Sequence, residues 1–461
     1  GILISLNLID IPLELLGTRK AIVPALLYNF FPYMILPVKA TIEGVDERLE
    51  EAAYTLGASR LYTLFHVVIP QTFVGIFAGF SLVFLRSISA FVTPKVLGQG
   101  RYFVLSTLIY QQMHTLNWGF AAALSFMLLV GILVVLGITR GVQKKNRSLS
   151  FQHRVPGALV SASAQLRNLK ISMIGYLRKH RSDTGSILQG RDKKAYMSAL
   201  MVDSRLVKFM VGLGIVFLVV PFLFLLRSAF TTSKLMGVNE GFTLHWIVAA
   251  ATDPGYHKAA WLSLRLGVLS VLITLTIGTM AVFSVRRFVG EKRRIYPFLS
   301  WSLISPLTVP AIVLAVGLVL IFQKMGWQFN FRRLVLVHVL IILPYIVNNI
   351  SGVVAKLDVS REEAAYVLGA SRLRVLVSII LPSLKTGIIS ACIMSFIVSF
   401  DEVTVTMLTS GAGQPTLPIR MMADLDMVWS PKLAGLSLLL ILFSTSILFL
   451  VHRLIGLEKF R

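Results

Sequence analysis

The chain has 461 residues, of which 56% are hydrophobic and only 14% charged. Soluble domains carry about a quarter charged residues, so a soluble fold is excluded, and an all-α polytopic membrane protein is indicated because helices satisfy their backbone hydrogen bonds internally in lipid. The net charge of +24 fits Lys and Arg gathered on cytoplasmic loops rather than nucleic-acid binding, and the single cysteine, Cys392, excludes an intrachain disulfide.

The chain starts with Gly1 and shows no signal peptide; that start suggests a fragment or a processed terminus. About 20 apolar residues cross a bilayer core of ~30 Å. Hydropathy places the first spans at 20–41, 69–92 and 119–139. Between the first two lies a polar block, EEAAYTLGASRL, at residues 50–61. Residues 140–208 then carry 15 Lys/Arg and 3 acids, which makes this segment cytoplasmic. Within it Leu166, Leu169, Met173 and Leu177 recur at helical spacing. A basic amphipathic surface helix and a disordered basic tether are both compatible with that pattern. Six further spans follow at 206–230, 259–285, 298–322, 334–355, 383–406 and 432–452. Arg286, Arg287, Lys292, Arg293 and Arg294 fall on the cytoplasmic side again, whereas Arg332 and Arg333 fall opposite.

The polar block is written twice. Residues 362–373 read EEAAYVLGASRL, identical at eleven of twelve positions, with an offset of 312 residues. Pro32-Tyr33 maps to Pro344-Tyr345 and Pro70 to Pro382 at the same offset. A repeat of this length is a duplicated unit. Six spans separate the blocks, so both face the cytoplasm and the copies run parallel rather than inverted. The organisation is a first unit at 1–140 with three spans, a basic linker at 141–205, and a second unit at 206–461 with six.

Each block has helix chemistry. Glu50, Glu51, Ala52 and Ala53, and likewise Glu362, Glu363, Ala364 and Ala365, favour helix and leave a small-residue patch that another backbone can approach. Gly57 and Gly369 end the helix in the left-handed conformation. Ser59 and Ser371 then cap a second short helix. Lipid does not explain a repeated surface helix–turn–helix; a repeated protein partner does.

The pattern Glu-Ala-Ala, three residues, Gly, nine residues, Ile-x-Leu-Pro resembles the signature of permease subunits of bacterial ABC importers. Glu363, Ala364, Ala365, Gly369, Ile379, Leu381 and Pro382 match it, and residues 51–70 match with Val67 and Ile69 at the aliphatic places. In that family the loop is the coupling helix that docks on a cytoplasmic ATPase. Ala90-Phe91-Val92-Thr93-Pro94, Gly98, Leu108–Gln112 and Asn117-Trp118 resemble the first permease of spermidine/putrescine importers. Ser399–Val403 and Thr416-Leu417-Pro418 resemble the second. The resemblance implies a fused double permease of the inner membrane, with an ATPase dimer and a periplasmic substrate-binding protein as partners and no cofactor of its own. Relatives that move phosphonates, opines, thiamine or ferric iron share it. The family has five or six spans per unit, so three in the first implies a truncated chain or an incomplete first unit.

Asp401 and Glu402 sit at the outer end of an apolar span, where acids line a pathway or pair with a cation. They would attract a cationic polyamine; a structural pair with Arg420 or a helix end is the competing reading. Ser89 and Ala90 are their first-copy counterparts, and Arg86 lies within a span and needs protein or water beside it. Tyr110, Trp118 and Trp429 read as interfacial anchors or ligand-stacking rings. The sequence has no Gly-Lys dipeptide and so no phosphate-cradling loop, no His-Glu-x-x-His and no Cys-x-x-Cys; no catalytic residue or metal site is expected. An ion-driven carrier, and a remnant that binds ATPase without transporting, are the remaining functional readings.

Overall fold

The computed structural model describes residues 15–152, 205–233, 241–288, 309–355, 357, 359–411, 415–427 and 430–455. The expected amphipathic stretch at 166–177 lies outside them. The first copy comprises α1 (Arg19–Ile42), α2 (Glu47–Thr55), α3 (Arg60–Thr63), α4 (Ile69–Ile88), α5 (Val92–Gly98), α6 (Leu105–His114) and α7 (Trp118–Gln152). The second part runs α8 (Arg205–Ala229), α9 (His245–Ala251), α10 (Pro254–Phe288), α11 (Ala311–Lys324) and α12 (Phe331–Val354). It ends with α13 (Val359–Val367), α14 (Arg372–Val375), α15 (Leu381–Phe400), α16 (Thr404–Thr409), α17 (Leu417–Met427) and α18 (Pro431–Ile455). Among the described residues the only strand-like feature is an isolated bridge between Thr231 and Phe242. Seven of the described helical stretches are long and apolar enough to cross a membrane.

Two spans are shifted from their sequence positions. The expected 69–92 is a continuous helical run over Leu64–Ile88, and 383–406 is Leu376–Phe400. In each, the apolar sequence continues past the span into a separate short helix, α5 or α16. In the first copy hydropathy does not mark the turn between, because Ala90-Phe91 is itself apolar; in the second the turn holds Asp401-Glu402, but the apolar sequence resumes at Val403 and carries the averaged hydropathy past it. The expected span at 298–322 is described only as Ala311–Lys324.

A single π turn precedes each of these spans, at Leu64–Val68 and at Leu376–Ile380. The Ile69 amide donates to the Leu64 carbonyl, and the Leu381 amide to the Leu376 carbonyl. Proline follows at once in both, at 70 and 382. A proline ring clashes with the carbonyl four residues back and offers no N–H. Widening the turn by one residue accommodates both defects. The next residue donates from its side chain to the carbonyl four residues back: Gln71 Nε2 to Val67 O at 2.9 Å, Ser383 Oγ to Ile379 O at 2.7 Å.

The described residues fall into two compact units. One lies within Tyr28–Phe84 and Ile132–Pro221. Here Gly75 of α4 meets α1 so closely that a methyl group on it would lie 2.6 Å from the Pro37 carbonyl oxygen. Tyr28 donates to the Leu218 carbonyl at 3.3 Å.

The other unit lies within Gly1–Leu27, Leu85–Gly131 and Phe222–Arg461. Its core joins α10, α12 and α15 through Val282, Ile346, Val347, Ile350, Leu384 and Ala391. Gly387 of α15 sits against Val353 of α12, where an added methyl would overlap that side chain. Gly387 is Gly75 plus 312, and Val353 is Thr41 plus 312, so the same helix crossing is built in both copies. In lipid, helices associate by close packing rather than by hydrophobic burial, which makes small residues at the crossing decisive. The outward faces stay apolar and bare: Leu36, Phe126, Phe209 and Met280 are each about two-thirds exposed. Gly75→Val and Gly387→Val should each cost about 1–3 kcal/mol by overpacking the crossing. Thermal unfolding of the detergent-solubilised chain reads this, and unchanged midpoints reject the shared crossing.

Candidate functional site

The two polar blocks fold alike in detail. Asp46 caps α2 by accepting from the Arg48 amide at 3.0 Å. At the other end the Ala58 amide reaches back to the Ala53 carbonyl at 3.0 Å and the Gly57 amide to Tyr54 at 2.9 Å. This paired closure needs a left-handed residue, and Gly57 supplies it at φ +83°. In the second copy Ala370 bonds Ala365 at 3.0 Å, Gly369 bonds Tyr366 at 3.0 Å, and Gly369 has φ +83°. Nothing lies within 4 Å of a side chain added at either glycine. The glycines therefore serve backbone conformation and not packing. Ser59 Oγ accepts from the Tyr62 amide at 3.3 Å and Ser371 Oγ from Arg374 at 3.4 Å, opening the next helix.

These loops sort their side chains consistently. Glu51, Ala52, Glu363 and Ala364 are exposed, whereas Glu50, Ala53, Glu362 and Ala365 are half-buried. Ala365 packs on the α10–α12–α15 core. Burial, and after it the Glu47 carboxylate, push the Glu50 carboxyl above its ordinary value. Sequence reading passed over the most exposed apolar residues here. Leu56 and Leu368, equivalent in the two copies, are each 87% exposed. The available signal was a leucine before glycine in both copies of a polar block.

At the opposite end of α15 the chain turns through Asp401 and Glu402. Glu402 accepts from the Val405 amide at 2.9 Å and so caps α16. This matches the helix-end reading; Arg420 pairs instead with Asp424 at 3.4 Å. Asp401 is exposed and stands on the wall of a cavity of about 340 Å³, with Phe396, Phe400, Val403, Met421 and Phe443. Arg86 donates to the Tyr345 hydroxyl at 3.3 Å, which gives it a polar neighbour in the second copy. Ser89, half-buried at the end of α4, does not line the Asp401 cavity.

His338 holds this turn from behind. It is fully buried, with Nδ1 2.8 Å from Ser399 Oγ and Nε2 3.0 Å from Thr406 Oγ1. It ties the end of α15 and the start of α16 to α12, on both sides of Asp401-Glu402. No local sequence signal marks it, since its partners lie 61 and 68 residues away.

Residues 11–148 and 287–457 match the family described as "Binding-protein-dependent transport system inner membrane component". The spermidine/putrescine transport system permease protein PotC of Escherichia coli (strain K12) is 29% identical over 244 residues, covering 53% of this chain and 90% of that protein. The putrescine transport system permease protein PotI of the same strain is 31% identical over 235 residues, covering 50% and 83%. The spermidine/putrescine permease PotB of that strain is 35% identical over 129 residues, covering 28% and 47%.

His338→Leu removes a partner from two buried hydroxyls, so it should destabilise the chain by about 1–3 kcal/mol. His338→Gln, which retains a donor and an acceptor, should recover part of that loss. Equal unfolding midpoints for wild type and His338→Leu would show that the network is inert.

Proposed function

The chain belongs to the family of binding-protein-dependent transport system inner membrane components, and on that premise we propose that it forms the translocation pathway of a polyamine importer powered by separate ATPase subunits. It is a multi-pass inner-membrane permease component of an ABC importer. The observation that carries the substrate class is Asp401, an exposed carboxylate at the edge of a cavity lined by Phe396, Phe400 and Phe443. A carboxylate beside ring faces suits a primary or secondary ammonium on an alkyl chain, through charge and cation–π attraction. The spermidine and putrescine permeases among its relatives agree with this chemistry.

In this reading an ATPase subunit docks on each repeated loop. Glu51 and Glu363 offer charge, Ala52 and Ala364 allow close approach, and Leu56 and Leu368 enter an apolar groove. An exposed apolar anchor rimmed by polar groups is the usual form of a binding hot spot. Half-buried Ala53 and Ala365 key the helix to its own copy. Motion of the docked helix then passes through α3 or α14 and the π turn into α4 or α15. A periplasmic binding protein delivers the substrate to the outer end. The chain's organisation follows the repeat, with units at 1–140 and 206–461 and the basic segment at 141–205 joining two cytoplasmic ends.

Two experiments test this. The double variants Glu51→Lys/Glu363→Lys and Leu56→Glu/Leu368→Glu should each lose co-purifying ATPase while the chain still inserts and folds; full retention in both sinks the docking assignment. Asp401→Asn should lower polyamine uptake about tenfold, the effect of losing one charge-assisted contact of about 1.4 kcal/mol. Unchanged uptake kinetics remove Asp401 from the pathway.

A further inference from the structure

A second acid at this end differs from its neighbours. Asp253 pairs with Lys432 at 2.5 Å. Asp424 accepts from the Tyr256 hydroxyl at 2.7 Å and pairs with Arg420 at 3.4 Å. All of these partners belong to the second part of the chain. Asp426 instead meets Lys95, from α5 of the first copy, at 2.6 Å. The pair lies on the wall of a cavity of about 580 Å³ that Tyr102, Phe103, Tyr110 and His114 also line. Lys95 Nζ lies 5.6 Å from the centre of the Tyr110 ring. This cavity shares Val96 and Leu425 with the cavity beside Asp401.

We propose that the cavity is a second amine-binding site, outside the Asp401 cavity, in which Asp426 and the face of Tyr110 take a primary alkylammonium end of the substrate and Lys95 is the resident group it displaces. The identity of the ligand as a polyamine rests on the substrate reading above. The site's preference for an amine does not, because the protein's own chemistry displays it. A lysine side chain is a primary ammonium on a four-carbon stem. Lys95 therefore already occupies the site as an n-butylammonium would, with a carboxylate on the charge and a ring face beside it. Exchanging it for a free alkylammonium keeps the carboxylate neutralised. The exchanged lysine sits beside a cavity with room for the rest of the incoming chain. Val96 and Leu425, common to both cavities, are the partition between this site and Asp401. A diamine or triamine has a second ammonium available for Asp401 once the first is held at Asp426.

The tethered ammonium competes with free ligand at an effective concentration on the millimolar scale. Removing it must therefore strengthen binding. The test is equilibrium binding of labelled putrescine to the full chain in lipid nanodiscs. Lys95→Gln should tighten binding by at least about tenfold, and adding Asp426→Asn to that variant should abolish the gain. Tyr110→Leu should weaken binding to the Lys95→Gln chain severalfold. The reversed pair Lys95→Asp/Asp426→Lys, which restores the bridge, should show no gain. A Lys95→Gln chain with wild-type putrescine affinity overturns the site and leaves the bridge as a structural tie, and a gain that survives Asp426→Asn overturns it as well. The two readings fail separately. A wild-type chain that imports no polyamine, while Lys95→Gln binds putrescine through Asp426, sinks only the substrate reading. Import of putrescine with no Asp426-dependent gain sinks only this site.

Discussion

In lipid every backbone N–H and C=O must find its partner within the chain. The most informative places in this protein are those where the sequence makes that difficult. Pro70 and Pro382 fall near the start of a span and remove a donor there. The chain responds with a π turn in both copies, and with a side chain from the following residue, Gln71 or Ser383, donating back to the helix. The widened turn lies between the helix proposed to dock the ATPase and the span it has to move. At the far end of α15 the helix stops at Asp401, and the Glu402 side chain supplies the bond that starts α16. The acids there are thus of two kinds. Glu402 is engaged in holding the backbone, and Asp401 is left facing the cavity.

Duplication explains why the two copies agree where they must and diverge where they are free to. The closure at Gly57 and Gly369 repeats to within 0.1 Å in its hydrogen bonds. The crossings at Gly75 and Gly387 repeat although the facing residues are threonine and valine. Both features depend on backbone shape, which tolerates little change. The copies part at the far end of these helices: at the 312-residue offset Ser89 corresponds to Asp401, and His114 to Asp426. One copy supplies the acids and the other supplies Arg86 and Lys95. The acids are therefore not equivalent: Asp426 has Lys95 beside it, whereas Asp401 faces its cavity.

Much of this was readable from the residues in order. Apolar runs gave most of the spans to within a few residues, and the repeated block gave its paired helix–turn–helix with the caps, because hydropathy and capping act over one or two turns. Glu-Ala-Ala helices, the left-handed glycines and the serine caps all stand where local chemistry puts them. The ends of the shifted spans were misplaced because apolar sequence resumes beyond each turn, from Ala90-Phe91 in the first copy and from Val403 after the Asp401-Glu402 pair in the second. What only the tertiary structure decided are the contacts between distant segments: His338 with Ser399 and Thr406, Gly387 against Val353, and Lys95 with Asp426 across 331 residues. Each of these residues is ordinary in its own sequence neighbourhood. Its role arises from the packing of helices that brings a second residue to it, and no local periodicity encodes that partner.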